Sequence, residues 1–439
     1  MRPTISWSDL GGQRAAVWGL GTEGRANVRK LRSLGVEPVL VDDRPERIAD
    51  EPVLPTAGEG LDAMLACDVV VKTPGISRRR PEVERLEAAG VSVVGGLGLW
   101  LQEADLERVV CITGTKGKST TTSIAAHLAV GLGQRVFAGG NLGSPPYDPD
   151  APTDVDLWII ETSSYQAADV AVSPPVVAVT ALAPDHLPWH GDETTYYEEK
   201  LSLCHQPGAR LTVASAASPL LAEHRDLLGP EVRWISADTW PPSWAAPLGL
   251  RGTHNLVNAG IARACLEALG VPGANDEDAL SRAAGGFGAL ESRLEIVTRV
   301  DGVDFVDDSL STNVLPAIAA LDAFADRRVA LIAGGQDRDL DYAPLAQALA
   351  RRSQPTLVLT VYTTGPKIQR AIEDHPSAST VATPCDGLAE AVSRGFDWAR
   401  PDGVVLLSPA AASFDAFEDY RHRARVFREA IAALPGSAS

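Results

Sequence analysis

A chain of 439 residues is far longer than one small core requires, and its length points to about three domains. Hydrophobic residues make up 45% and charged residues 22%, which is globular composition and argues against a disordered chain. The net charge of −18 argues against a nucleic-acid partner, whose phosphates need a basic surface, but leaves room for a small anionic nucleotide held at one local positive site.

Five cysteines, Cys67, Cys111, Cys204, Cys265 and Cys385, are scattered with no CxxC spacing. That pattern fits free thiols in a reducing compartment, with neither a disulfide framework nor a zinc cluster. The N-terminal MRPTISWSDL has no charged-then-apolar signal, and no run approaches the roughly eighteen apolar residues of a membrane span. The expectation is a cytoplasmic chain with no membrane partner.

In chain order, RAAVWGL reads as a buried strand entering the glycine turn Gly19-Leu20-Gly21-Thr22-Glu23-Gly24, followed by a helix and the strand PVLVDD, which ends at Asp42 and Asp43. This is a βαβ unit, and GxGxxG with an acid about twenty residues on suits a dinucleotide. A tight turn with no ligand is the alternative. DVVVKTPGI supplies another strand, ending at Thr73-Pro74-Gly75, and the acidic LQEADLERV marks a boundary. A second unit opens with the strand VVCIT, the glycine turn of Thr113-Gly114-Thr115-Lys116-Gly117-Lys118-Ser119-Thr120 and a helix. Glycines let backbone N–H groups turn toward phosphate, Lys118 adds a cation, Ser119 or Thr120 can meet a metal, and the helix start brings its positive dipole end. The strands DLWIIE, PVVAVT and ARLTVAS alternate with helices such as LVNAGIARACLEALG, as in a parallel sheet covered on both faces. From near residue 295 a third block runs through FVDDS, VALIAG, PTLVLT and GVVLLSP. The proline-rich GSPPYDPDAP and WPPSWAAPLG read as surface loops. Glu161 and His186 follow consecutive strands, where a parallel sheet gathers its ligand-binding side chains, and with Ser119 or Thr120 they offer the oxygen-rich donor set that magnesium takes.

The compact GTKGKST turn resembles the ATP loop of the Mur ligase and folylpolyglutamate synthase superfamily, and the Mur ligase pattern continues in order along nearly the whole chain. The KTPGI run resembles that family's uracil-contacting SPGI turn. Glu161-Thr-Ser-Ser-Tyr-Gln166 and Asp185-His186 resemble its ELSS(F/Y)Q and NxxxDH runs, with Ala181 in place of the asparagine and Pro188 in place of an acid. Lys200 stands where the family carries a carbamate bridging to a second magnesium. Gly140-Asn141 resembles the turn that reaches the muramoyl group, and Asn255 with Asn258 resembles the adenine and ribose contacts. Arg293 and Asp308 stand at the family's hinge and ribose positions, with Ser292 replacing a histidine. Asp307-Asp308-Ser-Leu-Ser-Thr-Asn313 resembles the N-D-S-K-A-T-N of the D-glutamate-adding enzymes, with Leu310 in place of the lysine. Ser408-Pro-Ala-Ala-Ala-Ser413 and Tyr420 follow the C-terminal S-P-A-x-A-S run.

The resemblance implies an α/β chain of three domains: an N-terminal Rossmann-like domain holding UDP (1–106), a central P-loop ATP-binding domain with a parallel sheet (107–294), and a C-terminal Rossmann-like domain for the amino acid and ATP (295–439). It implies an ATP-dependent amide ligase of peptidoglycan precursor synthesis, acting through an acyl phosphate and giving ADP and phosphate. Lys118, His186, Lys200 and Asp308 are the implied catalytic groups. ATP falls to Gly114 through Thr120 with Asn255, Asn258, Arg293 and Asp308, and the UDP substrate to Gly19, Leu20, Gly21, Thr22, Asp42, Thr73, Pro74, Gly75 and Asn141. Two Mg²⁺ fall to Ser119, Thr120, Glu161, His186 and a carbamylated Lys200. The amino acid falls to Thr312, Arg338, Ser413 and Tyr420, aided by a helix start after Ser413, with domain closure bringing Asp308 and Arg338 onto ATP. DDS-L-S-T is similar to the branch that attaches L-glutamate to UDP-N-acetylmuramoyl-L-alanine, with an epimerase acting downstream and the ligase working as a monomer. The alternatives are the D-glutamate-adding branch, a folylpolyglutamate synthase, which lacks a Rossmann-like domain ahead of the loop, and a nicotinamide oxidoreductase using Gly19 to Gly24.

Overall fold

The computed structural model describes residues 2–45, 52–141, 144–237, 243–250, 252–288, 292–337 and 340–435. The chain divides into two compact units, Met1–Leu248 with His254–Phe287, and Gly249–Thr253 with Gly288–Ser439. Among the described residues no helix is long and apolar enough to cross a membrane.

The first unit holds two parallel sheets. One comprises β1 (Ala15–Trp18), β2 (Val39–Asp42), β3 (Leu54–Pro55), β4 (Val69–Lys72) and β5 (Ser92–Gly95), in the order β3-β2-β1-β4-β5. The other comprises β6 (Val109–Thr113), β7 (Val136–Gly140), β8 (Leu157–Glu161), β9 (Val176–Val179), β10 (Leu211–Ser215) and β11 (Glu231–Ile235), in the order β11-β10-β9-β6-β8-β7. In the second unit β12 (Glu295–Val300), β13 (Val303–Asp307), β14 (Val329–Ala333), β15 (Thr356–Thr360), β16 (Thr380–Pro384) and β17 (Val404–Leu407) run in the order β12-β13-β17-β14-β15-β16. Only β12 is antiparallel to its neighbour in this sheet.

Every strand expected from the sequence is interior to a sheet, and the six that were not expected, β3, β5, β7, β11, β12 and β16, are the six sheet edges. Interior strands of parallel sheets are covered on both faces, so β4 (VVVK) and β6 (VVCIT) are buried throughout and read as apolar runs. Edge strands such as β11, β12 and β16 are partly exposed, and the polar residues among them break the run.

A buried polar seam joins the two sheets of the first unit. Lys72, at the end of β4 and 0% exposed, pairs with Asp169, which also receives Arg78 Nη1 at 2.9 Å. Gln166 Nε2 donates to Glu23 Oε1 at 2.8 Å, and Trp189 Nε1 donates to the Gly75 carbonyl at 2.9 Å. The two stretches expected as surface loops are corrected here. In GSPPYDPDAP, Tyr147 is 3% exposed, with its ring 5.1 Å from that of Trp7 and its hydroxyl 3.4 Å from Glu23 Oε2. In WPPSWAAPLG, Trp244 is buried under the Arg263 guanidinium, while residues 240–242 lie outside the described residues. Apolar rings override loop composition because burying them outweighs the polarity of their neighbours.

Candidate active site

The turn after β6 needs its glycines. Gly114 and Gly117 have φ of +131° and +91°, and a Cβ on Gly114 would lie 2.3 Å from Thr180 Oγ1. On Gly117 it would lie 2.8 Å from Asn258 Oδ1, so the Asn255–Asn258 face of the helix Thr253–Ala268 lines this turn. Thr115 binds the segment beyond β9: its N–H donates to the Ala181 carbonyl at 2.7 Å, and its hydroxyl meets Ala183 N at 3.0 Å and the Tyr196 hydroxyl at 2.9 Å. Backbone partners thus hold this segment although Ala181 replaces an asparagine, and Pro188 sits in the first turn of the helix Leu187–His190, where a missing N–H costs nothing. Lys118 opens the helix Lys118–Gly131 and curls back over the turn, donating to the Gly114 and Thr115 carbonyls at 2.9 and 3.3 Å. Ser119 and Thr120 follow in its first turn.

Sheet order sets what gathers around this turn, because β6 lies between β9 and β8. Glu161 ends β8 and is 2% exposed; its Oε1 accepts from Asn141 Nδ2 at 2.7 Å, while its buried Oε2 has no hydrogen-bond partner. Lys200, on the helix Glu193–Leu201, is 2% exposed and donates to the Gly114 carbonyl at 3.2 Å. Burial, with Lys118 alongside, holds its ammonium well below the usual lysine range. His186 adopts a left-handed conformation at φ 55°; its side chain is 42% exposed, and partial desolvation, opposed by Asp185 and reinforced by Lys200, lowers its imidazole below the usual histidine range. It is neutral at physiological pH, the form that ligates metal. Lys116 lies 3.5 Å from Asp185. Among the described residues no three His, Cys, Asp or Glu side chains form a ready-made metal cage. Magnesium does not need one, since it takes one or two carboxylates and fills its octahedron with phosphate oxygens and water. The unpaired Glu161 oxygen beside the phosphate-type turn fits that ion.

In the first sheet, Gly19 has φ +89° and a Cβ there would strike Thr73 Oγ1 at 2.2 Å, so the turn after β1 and Thr73-Pro74-Gly75 form one surface. Gly21 and Thr22 are exposed at its rim. Asp42 accepts from the N–H groups of Leu20 at 2.8 Å and Arg44 at 2.9 Å, so its carboxylate shapes the turn.

In the second unit the turns after β13 and β17 are neighbours. Asp308, 3% exposed, accepts from Ser408 Oγ at 2.7 Å and Leu294 N at 3.3 Å, and burial raises its carboxyl to about 7, against the pull of Arg293. Asp307 accepts from Ser309 Oγ at 2.6 Å and Ser292 Oγ at 2.9 Å. Ser413 is 3% exposed, while Thr312 and Tyr420 are partly exposed. Arg338 lies outside the described residues. The helix expected directly after Ser413 is corrected: Phe414–Ala416 form a turn, with Phe417 N bonded back to the Ser413 carbonyl at 3.0 Å, and the helix starts at Tyr420, capped by Asp419. Sequence reasoning missed Tyr196 and Thr180 as parts of the phosphate-type turn, and it named Lys116 and Asp185 without pairing them. Neither Tyr196 nor Thr180 carried a sequence signal for this site.

Three family models match in order: a Mur ligase MurD-like N-terminal domain at residues 13–95, a Mur ligase middle domain at 112–236 and a Mur ligase glutamate ligase domain at 292–411. A UDP-N-acetylmuramoyl-L-alanine--L-glutamate ligase from Micromonospora sp. is 40% identical, with 97% of each chain covered. The protein of the same name from Xanthomonas oryzae is 36% identical, with 98% of each chain covered. Among solved structures, the UDP-N-acetylmuramate-alanine ligase of Thermotoga maritima covers 95% of this chain and 98% of its own, at a TM-score of 0.56 and 18% identity. A Mycobacterium tuberculosis folylpolyglutamate synthase covers 73% of this chain and 92% of its own, at a TM-score of 0.53 and 16% identity. At that identity these two structures speak for the fold.

Proposed function

This chain belongs to the Mur ligase family, and from that premise we propose that it joins L-glutamate to UDP-N-acetylmuramoyl-L-alanine at the expense of ATP, releasing ADP and phosphate. The observation that carries this reading is Lys200, a buried amine with its charge disfavoured, touching the turn that bears Lys118 and lying within electrostatic reach of Glu161. Nothing in ordinary packing calls for three lysines, Lys116, Lys118 and Lys200, at one glycine turn, whereas triphosphate chemistry does.

In this reading residues 1–106 hold the UDP portion through Gly19–Thr22, Thr73–Gly75 and Asn141 of the next domain. Residues 107–294 hold ATP through Gly114–Thr120, Asn255 and Asn258, and residues 295–439 hold glutamate through Thr312, Arg338, Ser413 and Tyr420, with Arg293 and Asp308 serving ATP. The L-alanine carboxylate attacks the γ-phosphorus and ADP leaves; Lys118 and the helix start offset charge on the transferring phosphoryl group. The free amine of glutamate then attacks the acyl phosphate carbon, the C–O bond to phosphate breaks, and the proton lost by the amine leaves with phosphate as hydrogenphosphate. Magnesium, when bound, supplies charge neutralisation at the phosphate oxygens, with Ser119, Thr120, Glu161, His186 and Lys200 as the residues that would hold two ions. For Lys200 this requires its neutral amine to add to CO₂ with loss of one proton, giving a carbamate. Leu310, where D-glutamate-adding enzymes carry a lysine, and the names of the relatives support L-glutamate. The product then calls for an epimerase, and the ligase acts as a cytoplasmic monomer.

The test supplies UDP-N-acetylmuramoyl-L-alanine, ATP, Mg²⁺ and each glutamate enantiomer separately, and follows ADP release and the amide product. L-glutamate is expected to support turnover and D-glutamate to support little. Turnover with the D enantiomer alone, or ADP release that ignores the amino acid, overturns the reading.

A further inference from the structure

The helix Tyr420–Ala432 sends one arginine inward. Arg423 is 1% exposed; its Nη1 donates to the Ala411 carbonyl at 3.1 Å and its Nη2 to the Ser309 carbonyl at 2.7 Å, while its buried Nε has no hydrogen-bond partner. Ala411 lies in the turn after β17 and Ser309 in the turn after β13, and these strands are adjacent in the sheet. We propose that Arg423 is a positioning residue for the incoming amino acid, its guanidinium tying together the two turns that carry Ser413 and Thr312. The proposal rests on the reading that these turns form the glutamate site.

Three observations favour this role over mere helix packing. First, Ala410, next to the clamped carbonyl, has φ +54°, a left-handed conformation that costs a residue with a Cβ energy and persists only where its surroundings impose it. Second, the turn is held from its other flank as well: Gln336 N donates to the Ala412 carbonyl at 2.8 Å, and a Cβ on Gly335 would lie 2.2 Å from that oxygen. The turns after β13, β17 and β14 therefore meet around residues 409–413, with Arg423 beneath. Third, a planar guanidinium reaches two carbonyls in fixed relative geometry, which an ammonium cannot reproduce. Burying a cation to bond two neutral carbonyls is a costly way to fill a core, and Asp307 and Asp415 lie within electrostatic reach as compensating charge. Arg428, further along the same helix, reaches Asp307 Oδ2 at 3.7 Å and Glu295 Oε2 at 2.8 Å, so the acidic turn is braced twice from one helix.

Full-length Arg423→Lys, Arg423→Gln and Ser413→Ala variants are compared with the parent for the KM of L-glutamate, ATP and UDP-N-acetylmuramoyl-L-alanine, together with thermal midpoints. Arg423→Gln is expected to raise the glutamate KM about tenfold or more while the other two KM values stay within about twofold, and Arg423→Lys is expected to fall between parent and Gln. Equal rises in all three KM values, or a lowered midpoint with no change in KM, overturn the positioning role. If Gln abolishes the cooperative transition, Lys decides by the same criterion. Ser413→Ala separates the two ways of failing: a raised glutamate KM there with none in the Arg423 variants removes the clamp alone. An unchanged glutamate KM in Ser413→Ala removes the site assignment and the clamp with it.

Discussion

Replacing Asp169 by asparagine strands Lys72, which is 0% exposed and, among the described residues, has Asp169 as its carboxylate partner. Two unit charges about 3 Å apart interact by roughly 5–6 kcal/mol at an effective dielectric constant of about 20. The variant does not lose all of this, because a stranded lysine can release its proton. From the ordinary value of 10.5, neutralising Lys72 at pH 7.5 costs about 4 kcal/mol, and at pH 9 about 2 kcal/mol, so proton release caps the penalty. The expected destabilisation of Asp169→Asn is therefore about 3–4 kcal/mol near pH 7.5, matching the range for breaking a buried ion pair. The sign of the pH effect follows from proton counts. In the variant the folded state holds Lys72 neutral while the unfolded state keeps it protonated below 10.5, so the unfolded state binds more protons and stability rises with pH. Urea unfolding of parent and variant from pH 7 to 9 measures both quantities, and adding Lys72→Met to Asp169→Asn is expected to recover most of the loss. A penalty below about 1 kcal/mol, or one that does not shrink toward pH 9, refutes the claim that a buried ion pair locks the seam of the first unit.

Other outcomes follow from the site. Lys118→Ala is expected to lower acceptor-dependent ADP release by about a hundredfold or more, and unchanged turnover removes the glycine turn from the reaction. If Lys200 acts as a carbamate, stripping CO₂ from buffer and enzyme lowers the parent's activity and bicarbonate restores it; activity indifferent to both shows an unmodified amine. Glu23 is raised to about 7, chiefly by burial, so its folded form holds a proton that the unfolded form has lost above the usual carboxylate range. Its protonated state favours folding at low pH, and that contribution is lost as pH rises through about 7. Glu23→Gln is thus expected to flatten the parent's decline in stability between about pH 4.5 and 7 by about 1–3 kcal/mol, as followed by thermal unfolding, and an unaltered slope contradicts the assignment.

The interior strands, the two nucleotide-type glycine turns and the succession of three βα blocks were legible in the chain because their signals are local. A strand covered on both faces is a run such as VVCIT, and a turn such as Gly114–Gly117 needs glycine where φ is positive, whatever lies around it. All six sheet edges escaped, and in β11, β12 and β16 polar residues on the partly exposed strand break the run. Tertiary structure alone decided which polar groups lose their water. Lys200 follows two glutamates and reads as a surface residue until folding places it against a carbonyl 86 positions away. Lys72 finds its carboxylate 97 positions on, and Arg423 reaches back 114 residues to the Ser309 carbonyl. Desolvation depends on every atom packed around a group, and those atoms come from all along the chain, so no window of sequence contains it.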